Sequence, residues 1–506
     1  MARMDSLSLE LIELIVLELL ELLDFDTPHD KSINPSLAPY ARINRKFHAA
    51  VERNLYRRVE TSSRHPERLQ AINAYALRKA ALQELSYVIE LPEYDPNREY
   101  ALERRKEHRA NQAAFRDGLV RIWNELSAWE KLPSLSLDLS ASSKCDGGDW
   151  GFPDRWLCPE HSLSVGDDVE LPTVQCVQDL AVARDGRRIH PATIESMVLS
   201  LPNLRVLSLG MRAVQFRFQD LRAEYTATLA RMLEAPTLGK LEVLNLSLWA
   251  HPPTNHDFNT GLQPDPSYPA GDVLSNAIRK LAQRSLRQLE LQDNVPISPA
   301  LFGPPEDDTP FPHLEYIDIQ FPILTYDGRW YYTGDRHAVE PDTPFETEVE
   351  QIHNGSSLDD GPSDTDSVIS LNNSRADFLN GNIPAHEWRT SPDPCMFDPL
   401  VHSVAAAALH MPKLRNLLLT TLYEYAFSDH AEEREQRCAV KINYATPECY
   451  FGSLRYPNMG LDGHTRCRWV VSLGTGVSWD VPEDIRGIMR EKVGDAGDVV
   501  VYRSRS

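Results

Sequence analysis

The chain is poor in cysteine, in basic charge and in uninterrupted apolar sequence. Seven cysteines in 506 residues, scattered at positions 145, 158, 176, 395, 438, 449 and 467, exclude a disulfide-stapled scaffold and fit a reducing compartment. Lys and Arg number 52 against 74 Asp and Glu, so the formal charge is 52 − 74 = −22. A surface of that sign repels phosphate and argues against nucleic acid or an anionic membrane as the main partner. The longest apolar stretch, Leu7 to Leu23, is interrupted by Glu10, Glu13, Glu18 and Glu21, and charge at mid-bilayer is costly. It also lacks the basic start and small-residue cleavage site of a signal peptide. A cytoplasmic or nuclear location is therefore expected, with the sequons at Asn354 and Asn372 unused. Apolar residues at 42% and charged residues at 25% supply a sizeable core and exclude wholesale disorder. At roughly 150 residues per domain the length suggests about three domains.

Catalytic signatures are missing too. No Gly-x-Ser-x-Gly or His-Glu-x-x-His occurs, and Leu473-Gly-Thr-Gly lacks the third glycine or the Gly-Lys-Ser/Thr of a nucleotide loop. Cys145, Cys158, His161 and Cys176 contain one close pair where structural zinc prefers two, and His464, Cys467 and Cys449 are spaced less well still. No metal, no cofactor and no enzymatic activity is expected.

The first helix carries Glu10, Glu13, Glu18, Glu21 and Asp24 within an arc of about 140° and Leu, Ile or Val almost everywhere else. That is more apolar surface than one buried stripe uses. Either the helix lies in a core, or one of its faces meets a partner. After a polar loop, Asn34-Pro35 predicts a helix start. Tyr40, Ile43, Phe47, Val51 and Leu55 then recur at helical spacing, with Arg42, Arg45, Lys46, Arg53, Arg57 and Arg58 largely off the stripe.

Leu7-Ser8-Leu9-Glu10-Leu11-Ile12, then Ile15 and Leu37, then Ile43-Asn44-Arg45-Lys46-Phe47, resemble an F-box, with Ser8 in place of the usual Pro and Asn44 in place of Ser. The resemblance covers about 50 residues. It implies docking to the Skp-type adaptor of a cullin–RING ubiquitin ligase through Leu7, Leu11, Ile12, Ile15, Val16, Ile43 and Phe47.

Residues 61–130 are expected to be helical, with Phe115, Leu119, Ile122, Leu126 and Trp129 as a buried stripe. From Leu132 an apolar L-x-x-L-x-L motif recurs. Its copies are Leu132/Leu135/Leu137, Val177/Leu180/Val182, Leu204/Leu207/Leu209, Leu241/Leu244/Leu246, Leu286/Leu289/Leu291, Leu314/Ile317/Ile319 and Leu414/Leu417/Leu419. Helical stretches precede several copies. A repeated helix–strand unit that cannot bury its face alone stacks into a solenoid. The pattern resembles leucine-rich repeats, although of their asparagine ladder Asn294 fits after Leu291 while Arg212 stands after Leu209. The whole run resembles the large group of filamentous-fungal F-box-like proteins with divergent repeats.

Residues 334–398 hold 14 Asp and Glu against three Arg, and few aromatics, so a disordered acidic insertion is expected, with Ser357 and Ser363 placed for phosphorylation. Asp327-Gly328 signals a hairpin turn before Trp330-Tyr331-Tyr332, three rings suited either to packing or to target recognition. Residues 399–506 continue with a last repeat, strands at Val440–Tyr444, Trp469–Leu473 and Val499–Tyr502, and a helix near Pro482–Lys492.

The expected fold is thus α/β: an F-box-like helical unit (1–60), a helical linker (61–130), a leucine-rich-repeat-like horseshoe solenoid (131–333), the acidic insertion (334–398) and an α/β cap (399–506). The expected function is non-catalytic substrate recognition within a Skp/cullin/F-box ligase, binding the adaptor and a target protein. The competing reading is an interaction scaffold whose F-box-like helices only cap the solenoid.

Overall fold

The computed structural model describes residues 7–24, 39–95, 103–129, 134–146, 162–166, 168–183, 186–249, 252–260, 271–304, 309–341, 377–422, 437–447 and 466–504. The architecture is mixed α/β around a twelve-stranded sheet. Its first eight strands are β1 (Arg58–Ser62), β2 (Glu84–Glu90), β3 (Leu135–Ser142), β4 (Val177–Val182), β5 (Val206–Arg212), β6 (Val243–Trp249), β7 (Gln288–Asp293) and β8 (Tyr316–Pro322). A short antiparallel pair, β9 (Tyr332–Thr333) and β10 (Ser391–Pro392), stands apart from the sheet. The sheet resumes with β11 (Asn416–Leu422), β12 (Val440–Ala445), β13 (Arg468–Leu473) and β14 (Asp498–Arg503).

Every neighbouring pair from β1 through β8 to β11 is parallel. β12 is antiparallel to both β11 and β13, and β14 is parallel to β13. Spatial order follows chain order, and among the described residues the sheet does not close into a barrel.

The repeated motif explains this order. Each of the seven copies falls on a strand, and the middle residues of six sit side by side, Leu180, Leu207, Leu244, Leu289, Ile317 and Leu417; the first copy is two residues out of step, because Leu137, expected as its last position, pairs with Leu180 in that row. All are buried. Two residues on, Leu139, Val182, Leu209, Leu246, Leu291, Ile319 and Leu419 form a second buried row. At about 1.5–3 kcal/mol for each fully buried aliphatic side chain, these rows are a principal source of stability.

Parallel neighbours need crossovers. Helices α5 (Arg105–Ser127), α6 (Pro191–Leu199), α7 (Gln219–Glu234), α8 (Val273–Arg284) and α9 (Pro394–Leu409) each precede one of β3, β5, β6, β7 and β11. α7 packs on both α6 and α8, and α9 packs on α10 (Glu483–Val493). One continuous core joins them to the sheet, from Leu69 to Met489. No helix among the described residues is long and apolar enough to cross a membrane.

The structure corrects two expectations. Residues 61–130 are not a purely helical linker: the sheet begins at Arg58, and β2 is its second strand. Leu85, Tyr87 and Ile89 alternate along β2 on its buried face. The helical part holds α3 (Pro66–Asn73), α4 (Ala76–Ala81) and α5, whose stripe from Phe115 to Leu126, with Trp129 just beyond, is buried.

Nor is the stretch 334–398 unstructured at its ends. The described residues 377–398 are packed: the Asn255 N–H donates to the Gly381 carbonyl (2.8 Å), β10 pairs with β9, and α9 begins at Pro394. Averaged composition hides the local anchors Trp388 and Phe397, the latter fully buried against Trp479 and Tyr332. Residues 342–376, with Ser357 and Ser363, lie outside the described residues.

Candidate interaction face and a cleft at the strand ends

The N-terminal unit is a pair of helices, α1 (Leu9–Asp24) and α2 (Arg45–Leu55), with a 3-10 turn at Tyr40–Arg42. The expected start at Asn34-Pro35 lies outside the described residues; the observed start is set by Asn44. Its side-chain oxygen accepts the backbone N–H groups of Lys46 (2.9 Å) and Phe47 (3.0 Å). Asn and Ser cap helix starts about equally well, so Asn44 caps this helix as a serine at the same position would.

The pair has its own small core of Ile12, Val16, Phe47, Ala50 and Val51. An ion pair of Arg53 with Glu13 and a hydrogen bond from Lys46 Nζ to the Leu7 carbonyl (2.6 Å) tie the helices together. The seven expected adaptor-facing residues therefore divide. Ile12, Val16 and Phe47 are buried inside the unit, and Leu7 is half-buried. Leu11 (50% exposed), Ile15 (38%) and Ile43 (45%) face outward, joined by Leu14 (57%). At 100° per residue, Leu11, Leu14 and Ile15 share one face of α1, turned away from the Ile12–Val16 face. The apolar surplus is thus split into a face that closes the unit and one that stays open.

Trp330, Tyr331 and Tyr332 do not form a recognition surface. The first is 8% exposed and the other two 1% or less. Tyr331 Oη donates to the Ile297 carbonyl (2.8 Å) and Tyr332 Oη to that of Cys438 (3.0 Å). The predicted turn is present, with Gly328 at φ 78° and Leu324 bridged to Trp330. Both sides of the following segment are covered, one by Ile297 and Phe321 and the other by α9 and β11, so the rings pack.

The uncovered face of the parallel sheet is polar. One row across it runs Asp138, Ala181, Ser208, Asn245, Glu290, Asp318. Burial, then the neighbouring Glu290, pushes the Asp318 carboxyl up to about 6, and burial alone raises Asp138.

A cleft of about 70 Å3 opens at the C-terminal ends of β5 to β8. Ladder positions three residues past the motif build part of its wall: Arg212 after β5's Leu209, Asn294 after β7's Leu291, and Pro322 after β8's Ile319. Trp249, the corresponding residue of β6, lies beneath the Arg212 guanidinium at 5.5 Å. α7 closes the other side with Arg222, Tyr225 and Leu229. In the sequence Arg212 and Asn294 stand out only as ladder positions, one departing from the asparagine pattern and one fitting it, and not as site residues; Arg222 carries no motif and is placed only by tertiary packing.

Among the described residues no three His, Cys, Asp or Glu side chains gather as metal ligands. Cys176, one of the candidate ligands, is buried with its thiol on the Leu126 carbonyl and is pushed up to about 11 by burial. Cys158, His161, Cys449 and His464 lie outside the described residues. The fold places the chain among mixed α/β proteins with a large, mostly parallel sheet. Comparison with known proteins adds no narrower class: no protein-family model, curated protein or solved structure matches the chain significantly.

Proposed function

We propose that this chain is the substrate-recognition subunit of a Skp/cullin/F-box type ubiquitin ligase. The α1–α2 unit docks the Skp-type adaptor, and a leucine-rich-repeat-like solenoid presents a target protein; catalysis resides in other subunits. The observation that carries the reading is the open apolar face of Leu11, Leu14 and Ile15 on α1, with Ile43 also exposed just before α2, while Ile12, Val16, Phe47, Ala50 and Val51 pack within the unit. Exposed apolar groups clustered on one helix mark a partner site more often than chance exposure does. The in-register rows of leucine and isoleucine, one motif per strand in chain order, support the solenoid part.

A second reading, in which the helix pair only caps the sheet, is favoured by one contact. Arg78 of α4 holds Glu52 of α2 (2.8 Å), its guanidinium 4.7 Å from the Tyr56 ring. Co-purification of the full chain with a Skp-type adaptor decides between the two. Leu11→Asp with Ile15→Asp should abolish adaptor binding while the circular dichroism spectrum and unfolding midpoint stay unchanged, because both side chains already face solvent. Each carboxylate buried unpaired costs several kcal/mol, against ~8 kcal/mol for a micromolar complex. A wild-type chain that binds no adaptor at micromolar concentration leaves the capping reading in its place.

A further inference from the structure

We propose that the cleft at the C-terminal ends of β5 to β8 binds a small organic carboxylate, its head on Arg222 and its apolar tail along Met211, Leu229 and Leu248. Placement is the first argument. The loops that leave the carboxyl ends of neighbouring parallel strands diverge there and leave a concave, partly apolar space, the kind of place small molecules occupy. Here four consecutive strands contribute, and α7 supplies the facing wall.

The wall chemistry is the second argument. The lining is mainly aliphatic and aromatic with a few convergent polar groups, the composition of small-molecule sites rather than of a water-filled void.

Arg222 is the third. Its Nη1 donates to the Val214 carbonyl (2.9 Å) and its Cζ lies 4.2 Å from the Phe216 ring centre. Among the described residues no carboxylate forms an ion pair with it. Burial pulls its pKa down to about 10, so it remains a cation at neutral pH in a place that disfavours cations. A guanidinium offers five N–H donors in a fork that matches the two oxygens of a carboxylate. Bound there, a carboxylate supplies the missing counter-charge. About 10–15 Å3 of such volume accommodates one water, so the cleft takes roughly five to seven heavy atoms, which matches the five-carbon tail of hexanoate with its carboxylate on Arg222. The second guanidinium of the wall, Arg212, lies over the Trp249 ring at 5.5 Å, and the mainly aliphatic lining favours a monoanion with a tail over inorganic phosphate.

The test is calorimetric titration of the full chain with hexanoate, hexan-1-ol and inorganic phosphate. Hexanoate should bind saturably at one site, and hexan-1-ol and phosphate each ~10-fold or more weaker. Arg222→Met keeps the apolar stem and removes the charge, and should weaken hexanoate ~10- to 100-fold. Its unfolding midpoint should stay close to that of the wild type, because relief of a partly buried cation offsets the lost hydrogen bond to the Val214 carbonyl. Leu248→Phe fills the cleft from the opposite wall and should also abolish binding, a check that does not depend on the arginine. Absence of saturable hexanoate binding up to ~10 mM overturns the proposal. So does unchanged hexanoate affinity in Arg222→Met, or phosphate binding as tightly as hexanoate.

Discussion

At the scale of single residues, buried titratable groups set opposing pH limits. The His256 ring is 3% exposed, and its Nδ1 accepts the backbone N–H of Arg389 (2.9 Å). Burial first, then the charges of Arg389 and His386, push its pKa down to about 3. The folded chain therefore refuses a proton that the unfolded chain accepts below about 6.5. The stability His256 contributes is complete above that pH and drains away as pH falls toward 3. Asp318 acts in the opposite sense. With its pKa raised to about 6, the folded state keeps a proton that the unfolded state releases above about 3.9, so its contribution is lost as pH rises through 6. His256→Asn retains an acceptor for the Arg389 amide and cannot titrate. Urea unfolding of the wild type should weaken by roughly 1–2 kcal/mol between pH 6.5 and 5 from this group, and the variant should lose that part of the slope. Parallel curves for the two proteins would assign the acid sensitivity elsewhere.

Elements were legible in proportion to how often their pattern repeats. Seven copies of one apolar motif fall on seven strands, because a buried parallel strand needs only that alternation, but alternation alone left the first copy two residues out of step: Leu137 and Leu139, not Leu135 and Leu137, stand beside Leu180 and Val182. β2 escaped notice because Tyr87 takes the place of the last leucine in Leu82/Leu85/Tyr87, and β1 because Thr61 does so after Val59. The segment 377–398 was illegible for a different reason. It is held by polar contacts to residues far away in the chain: His386 Nδ1 on Asp257 (2.7 Å), Trp388 Nε1 on Asp257 (3.2 Å) and Arg389 on the Tyr332 carbonyl (2.9 Å). No periodicity encodes such contacts. Gly381 is its pivot, at φ 77°, where a Cβ would run into the Phe258 ring. Gly381→Ala should therefore cost about 1–3 kcal/mol in chemical denaturation, more than an alanine at the solvent-facing Gly487, which has open space around it. Equal effects at the two positions would mean that the segment contributes little to the fold. The cleft was not legible: Arg212 and Asn294 stand out in the sequence only as ladder positions, and Arg222 joins them in one lining only once α7 has packed.

For the whole molecule, the decisive fact is that there are two cores of very different size. The larger runs from Leu69 to Met489 across the sheet and its helices; the smaller consists of Ile12, Val16, Phe47, Ala50 and Val51. Among the described residues the small core holds five buried side chains, few to offset the ordering of two helices, so contacts with α4 and β1 add to the stability of the N-terminal unit. Native-state hydrogen exchange should accordingly show α1 and α2 opening well before β3 to β8, whose amides should exchange only through global unfolding. Ile12→Ala removes a fully buried side chain from the small core at a local cost of about 2–5 kcal/mol. It should erase protection in α1 and α2 while leaving the sheet amides unchanged. A partner that covers Leu11, Leu14 and Ile15 binds only the closed helix pair, so its binding raises protection there by mass action. Skp-type adaptor added at saturation should slow exchange in α1 and α2 of the wild type and leave β3 to β8 unaltered. Sheet amides slowed to the same degree would place the adaptor against the repeats instead, and would assign the open face of α1 a different role.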